Sequence, residues 1–147
     1  MSDRSINEIQ NEIIDEFAIL GDDKESTIFY IMELGNNLEP LDDSYKTNIN
    51  LIKGCQSKVW LKAELSGDHL MLKADSNTDI TKGLISLLIR VLSGQTLEDI
   101  INADLYFIEK IGMHLVIGSQ RSNGLASMIK QIKLYALAYK TKLQSQS

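Results

Sequence analysis

The chain has 147 residues, 44% hydrophobic and 24% charged, with a formal net charge of −5; that size suits one compact domain and that apolar content excludes intrinsic disorder. Its greasiest stretch, Gly83 to Leu92, is broken by Ser86 and Arg90 and falls short of the roughly 18 apolar residues of a membrane span. The first residues, with four acids by Asp15, predict neither a signal nor a transit peptide, so a cytoplasmic single domain over residues 1–147 is expected.

Ile6, Ile9, Ile13, Ile14 and Phe17 recur at helical spacing with acids between them, which predicts an amphipathic helix ending near Gly21. Asp22 to Ser26 restart a second helix, with Ile28, Ile31, Met32 and Leu34 inward up to Gly35. Residues 36–50 hold the only proline, Pro40, and read as loop. The period then changes to two. Val59, Leu61, Ala63 and Leu65 alternate with polar residues, Ser66-Gly67-Asp68 supplies a turn, and Leu70, Leu72 and Ala74 alternate back. This predicts an antiparallel hairpin over 58–75, with a short third strand at 48–53. Helix resumes after Asp75 or Ser76 as cap and runs to about Leu92, with Ile80, Leu84, Leu87, Leu88 and Val91 inward. Thr96-Leu97-Glu98-Asp99 reads as a capping box ahead of short helices at 97–102 and 104–112. A final helix from Ser122 or Asn123 carries Leu125, Met128, Ile129, Ile132, Tyr135 and Tyr139, and residues 143–147 are expected to fray. Helices grouped before and after one hairpin predict an α+β fold with a small antiparallel sheet packed on N- and C-terminal helices.

Charge is uneven. Residues 1–43 hold twelve acids against Arg4 and Lys24, whereas after Glu109 there are six cations and no acid. The simple expectation is an acidic N-terminal layer beside a basic C-terminal helix. The overall negative charge disfavours nucleic acid as a partner.

Chemistry centres on Cys55, the only cysteine, which excludes an internal disulfide and a multi-thiolate metal site. Gly54 before it permits a tight or left-handed backbone. Lys53 and Lys58 flank it and would favour the thiolate, whereas shielding by Ile52, Val59 and Trp60 would raise the thiol pKa. Either influence can dominate. His69 and His114 form no metal spacing, but a Cys–His catalytic pair assembled in space stays open. No glycine-rich phosphate cradle is present. Arg121, at the start of the last helix, is a cation where the helix dipole prefers an acid; it is read either as an exposed arginine or as a partner for an anion or for Cys55.

Gly54-Cys55-Gln56-Ser57-Lys58-Val59-Trp60, Lys82-Gly83-Leu84 and Ser119-x-Arg121-Ser122-Asn123-Gly124-Leu125 resemble the SufE family, together with Leu34-Gly35 and Leu38-Glu39-Pro40-Leu41. One departure is Ser76-Asn77-Thr78, where the family often has Ser-Asp-Ala. The resemblance implies an α+β fold shared with IscU-type scaffolds. It further implies that Cys55 accepts persulfide sulfur from a PLP-dependent cysteine desulfurase of SufS or CsdA type, stimulates that enzyme, and delivers the sulfur to an iron–sulfur scaffold of SufBCD type. It implies no resident cofactor, since the PLP belongs to the partner, and no membrane or nucleic-acid partner. Arg121, Gly54, Gln56, Ser57, Lys53, Lys58 and Asp75 are then the supporting or partner-binding residues, and the Gly54 loop is expected to be mobile. Three other readings are an independent cysteine hydrolase or transferase using Cys55 with a histidine, an IscU-type scaffold, and a non-catalytic regulatory domain.

Overall fold

The computed structural model describes residues 4–146. Helix α1 (Ile6–Ala18) starts where extended Ser5 accepts a hydrogen bond from the Glu8 N–H at 3.1 Å. It buries Ile6, Ile9, Ile13 and Phe17, with Ile14 only partly covered. Gln10 is also buried, because both ends of its amide are satisfied: Nε2 donates to the Asp104 carbonyl at 3.0 Å and Oε1 accepts from the Phe107 N–H at 3.1 Å.

Helix α2 (Lys24–Asn36) is capped by Asp23 and turns Thr27, Ile31 and Gly35 inward. Ile28, Met32 and Leu34, expected as its buried stripe, are only partly buried. The difference comes from close backbone packing on α3 (Asp79–Leu92): a Cβ at Gly35 would lie 2.6 Å from the Gly83 nitrogen. Contact that close rotates the glycine-bearing face of α2 into the interface.

Strands β1 (Val59–Ser66) and β2 (His69–Ser76) pair antiparallel from Val59↔Ser76 to Ser66↔His69. Gly67 turns the hairpin at φ +64°. The third strand is β3 (Gln95–Thr96), bonded to β2 in the order β1-β2-β3, and not the expected segment 48–53. That segment makes only the bridge Leu51↔Trp60, with Ile52 N–H donating to the Val59 carbonyl and Leu61 N–H to the Asn50 carbonyl, both at 2.8 Å. Gly54, at φ +94°, turns the chain away before a ladder can extend.

Helix α3 fills the middle of the core, burying Ile80, Leu84, Ile85, Leu87, Leu88 and Val91. Its cap is Thr78, not Asp75 or Ser76, because β2 continues through Ser76. Asp75 is instead a buried carboxylate, paired with Lys46 at 3.0 Å and Lys82 at 3.3 Å. Thr96 caps α4 (Leu97–Asn102) by accepting from the Asp99 N–H at 3.1 Å. After α5 (Phe107–Ile111), α6 spans Met113–Ser145 with a break at Gly118, φ +82° and ψ 172°. Glycine alone occupies that region readily, so helix resumes at Ser119, ahead of the expected start at Ser122 or Asn123, and continues through Ser145, inside the stretch expected to fray.

The acidic N-terminal helix does not lie chiefly against the basic C-terminal one. Glu12 and Glu16 of α1 both pair with Arg90 of α3. On α6, Lys140 pairs with Glu98 at 2.8 Å and Lys133 donates to the Ala103 carbonyl at 2.5 Å, closing the end of α4.

Candidate functional site

Cys55 sits in the connection between Ile52 and Val59, laid across α6. A Cβ at Gly54 would fall 2.4 Å from Ser127 Oγ, so glycine is needed for its backbone angle and for the close approach. At the next turn of α6, the Cys55 thiol donates to the Gly124 carbonyl at 3.5 Å, and a Cβ on Gly124 would touch Sγ at 3.5 Å. The loop is also tied to α3. Ser57 Oγ accepts from the Thr78 hydroxyl at 3.0 Å and the Thr81 hydroxyl at 3.3 Å. Asn77 closes its far end, accepting from the Lys58 N–H at 2.9 Å and donating its own N–H to the Lys58 carbonyl at 3.2 Å.

The thiol opens into a cleft of about 350 Å³. Its floor is apolar (Leu84, Ile117 and Met128), and its walls also include Gln56, Ser57, Thr81 and residues 118–121. Burial pushes the half-buried Cys55 thiol up from its ordinary value. Desolvation therefore outweighs the flanking cations in this resting geometry. Lys53 and Lys58 are exposed, and Lys53 lines a separate hollow. Trp60 does not line the cleft; its ring lies 5.8 Å from the Lys46 ammonium.

Arg121 does share the cleft with Cys55. It stands in the first turn after Gly118, is exposed, and makes no hydrogen bond or ion pair among the described residues. Its position is electrostatically unfavourable for the helix, so local stability gives no reason for it. Gln56 and Ser57 also line the cleft, Gly54 packs instead on Ser127, and Asp75 does not line the cleft and works as an ion-pair anchor beneath the hairpin. Neither histidine reaches it: His69 Nδ1 lies 2.8 Å from Asp68 Oδ1 at the hairpin turn, and His114 borders another hollow. Thr81, Leu84, Ile117, Gly118 and Met128 are wall residues that the sequence did not single out as site residues. The one local signal was the glycine immediately before Ser119, which marks the break that brings Arg121 to the rim. No group of three or more His, Cys, Asp or Glu residues among the described residues is arranged to hold a metal ion.

The SufE family profile, described as an Fe–S metabolism associated domain, matches residues 11–136. The chain belongs to the SufE family. Its role accordingly lies in Fe–S metabolism. It is 38% identical over 128 residues to an uncharacterized SufE-like protein of Rhizobium meliloti (strain 1021), covering 84% of this chain and 91% of the relative. It is 35% identical over 124 residues to SufE-like protein 1, chloroplastic/mitochondrial, of Arabidopsis thaliana, covering 84% of this chain but only 32% of that longer protein. The solution structure of a hypothetical protein from Thermus thermophilus superposes with a TM-score of 0.74 at 16% identity, covering 90% of this chain and 96% of the other. That likeness bears on the α+β fold alone. Among the described residues, no helix is long and apolar enough to cross a membrane.

Proposed function

We propose that this SufE-family chain is a sulfur acceptor and carrier. Cys55 takes the terminal sulfur from the persulfide of a PLP-dependent cysteine desulfurase and hands it to an iron–sulfur assembly scaffold, and docking of the acceptor stimulates the desulfurase. The observation that carries this reading is the lone thiol at the rim of an open cleft, with Arg121 as an unpaired cation beside it and no histidine in the cleft wall.

The transfer is redox-neutral. Cys55 loses its proton and its thiolate attacks the outer sulfur of the donor persulfide. A new S–S bond forms on Cys55, the donor S–S bond breaks, and the donor cysteine leaves as a thiolate that takes up a proton. Nothing resident on this chain need activate water or stabilise an oxyanion. A carrier gains from having no second cysteine, which would resolve the persulfide into a disulfide and release the sulfur.

The resting geometry suits a guarded nucleophile. Desolvation and donation to the Gly124 carbonyl favour the neutral thiol, which is slow to climb the oxidation ladder. Docking that lifts the loop off α6 removes that desolvation, and Arg121 then favours the anion by its charge. Ser57, bonded to Thr78 and Thr81, positions the loop, and Gln56 lines the cleft beside the sulfur. An independent Cys–His hydrolase is not favoured, because neither histidine borders the thiol. A cluster-scaffold role is not favoured either, because the chain lacks the several cysteines such sites draw on.

The deciding experiment is mass spectrometry of the protein after incubation with a desulfurase, cysteine and PLP. Wild type is expected to gain one sulfur atom on Cys55, His69→Ala and His114→Ala to gain it equally, and Cys55→Ser to gain none. Cys55→Ser that still stimulates the desulfurase fully supports a regulatory domain instead. Failure of wild type to gain sulfur from any desulfurase ends the proposal.

A further inference from the structure

The Cys55 loop is a ridge with a hollow on either side of it along α6. One is the cleft that holds the thiol. The other is a groove of about 520 Å³ whose walls include Ile49, Leu51, Lys53, Lys130, Leu134 and Tyr135. Ser127, the residue on which Gly54 rests, belongs to this groove, so the groove reaches the base of the reactive loop.

The groove has two properties that internal packing does not account for. Large apolar side chains stand in water on both of its walls: Ile49 is 88% exposed and Leu134 is 46% exposed. Lys53 and Lys130 are exposed, neither makes an ion pair or hydrogen bond among the described residues, and no acid lines the groove. In a chain with a net charge of −5 this is a positive, apolar trough touching the seat of the nucleophile.

We infer that this groove is where the sulfur donor docks, and that it takes from that protein a segment bearing one bulky apolar side chain flanked by carboxylates. The apolar group fits between Ile49 and Leu134, and the carboxylates face Lys53 and Lys130. Charge complementarity at such a rim accelerates encounter and fixes register. Occupancy of the groove brings the donor against Gly54 and Ser127, the contact that must loosen for Cys55 to leave its cleft. Lys53 is thereby a docking residue and not a partner of the thiol. This inference rests on the sulfur-acceptor reading.

The test uses the full chain and a cysteine desulfurase, comparing wild type with Lys53→Glu/Lys130→Glu and with Ile49→Glu. Desulfurase binding is titrated at several salt concentrations. Cys55 persulfidation is followed by mass spectrometry, first from the desulfurase with cysteine and separately from inorganic polysulfide. Wild-type affinity is expected to fall with salt. The double charge reversal and Ile49→Glu are each expected to raise Kd about tenfold and to slow desulfurase-driven uptake, while the polysulfide reaction and the melting temperature stay unchanged. Unchanged Kd in both variants, with normal uptake in wild type, overturns the groove assignment and leaves the acceptor reading standing. An equal slowing of the polysulfide reaction also overturns it, by showing that these residues act on the thiol itself. A wild type that binds the desulfurase but takes no sulfur refutes the acceptor reading while the Kd comparison still decides the groove.

Discussion

Replacing Gly83 by alanine puts a methyl carbon 1.9 Å from the Ile31 carbonyl oxygen and 2.6 Å from Ile31 Cγ2. A carbon–oxygen contact needs roughly 3.3 Å, so α2 and α3 must part by more than about 1 Å where they cross. The obstacle is backbone and cannot swing aside, which places the cost at about 3 kcal/mol, the upper end for overpacking. Alanine in a helix interior returns about 1 kcal/mol through propensity. The expected net loss is about 2 kcal/mol, a fall in Tm of roughly 6–8 °C for a domain of this size. Gly124→Ala is the internal control: its nearest neighbour is Cys55 Sγ at 3.5 Å, an ordinary contact, so the same exchange is expected to stabilise by up to about 1 kcal/mol. Urea and thermal unfolding of both variants check the pair. Equal or greater stability for Gly83→Ala would show that propensity alone governs the site and that the close helix crossing is wrong.

Three further outcomes follow from the site and its anchors. Arg121→Ala is expected to leave stability within about 0.5 kcal/mol, since the side chain has no bonding partner, yet to slow single-turnover sulfur uptake about tenfold, with Arg121→Lys recovering part of it; uptake at the wild-type rate removes Arg121 from the mechanism. Because burial raises the Cys55 pKa, the pH profile of alkylation of the native protein is expected to lie at higher pH than that of the denatured chain. The linked stability is complete below the ordinary thiol pKa and is lost as pH climbs through the raised one, a decline that Cys55→Ser should abolish. At Asp75, burial pushes the carboxyl up, but Lys46, the Ser76 N–H and Lys82 outweigh it and hold the pKa below its ordinary value. Its contribution is therefore present above the unfolded carboxylate pKa and lost as pH falls through the native one. Asp75→Asn is expected to cost about 2 kcal/mol at pH 7, less than a fully enclosed pair because both lysines reach water, and to flatten the acid limb; wild-type stability in Asp75→Asn at pH 7 would contradict this.

The hairpin was legible because burial on one face writes a period of two into Val59–Leu65 and Leu70–Ala74, and only Leu65, near the open turn, escapes full burial. Helix existence was equally plain in α1 and α3. The buried face of α2 was not, since contact between Gly35 and Gly83 is tertiary and leaves no apolar periodicity. The third strand was sought at 48–53, where Ile49, Leu51 and Ile52 supply apolar residues, but a two-residue strand at Gln95–Thr96 has no room for a pattern. Cys55 and Gly54 declared themselves locally, as did Arg121 by its misfit with the helix dipole. The cleft floor did not: Leu84, Ile117 and Met128 look like any core residues until three helical segments converge beneath the thiol.

The long part of α6 serves both hollows at once. Gly124 and Met128 border one, while Ser127, Gln131 and Leu134 border the other. Each residue advances the helix by about 100°, so these two rows are locked in phase. A single inserted residue between Met128 and Gln131 would swing Gln131 and Leu134 about 100° out of alignment with Gly124, Ser127 and Met128. Four inserted residues would roughly restore the angle while shifting the row about 6 Å along the axis. On the docking inferred above, the spacing along this one helix would act as a ruler between the Cys55 sulfur and the docked donor, and changes in its length are expected to be far less tolerated than changes of residue identity on its outer face.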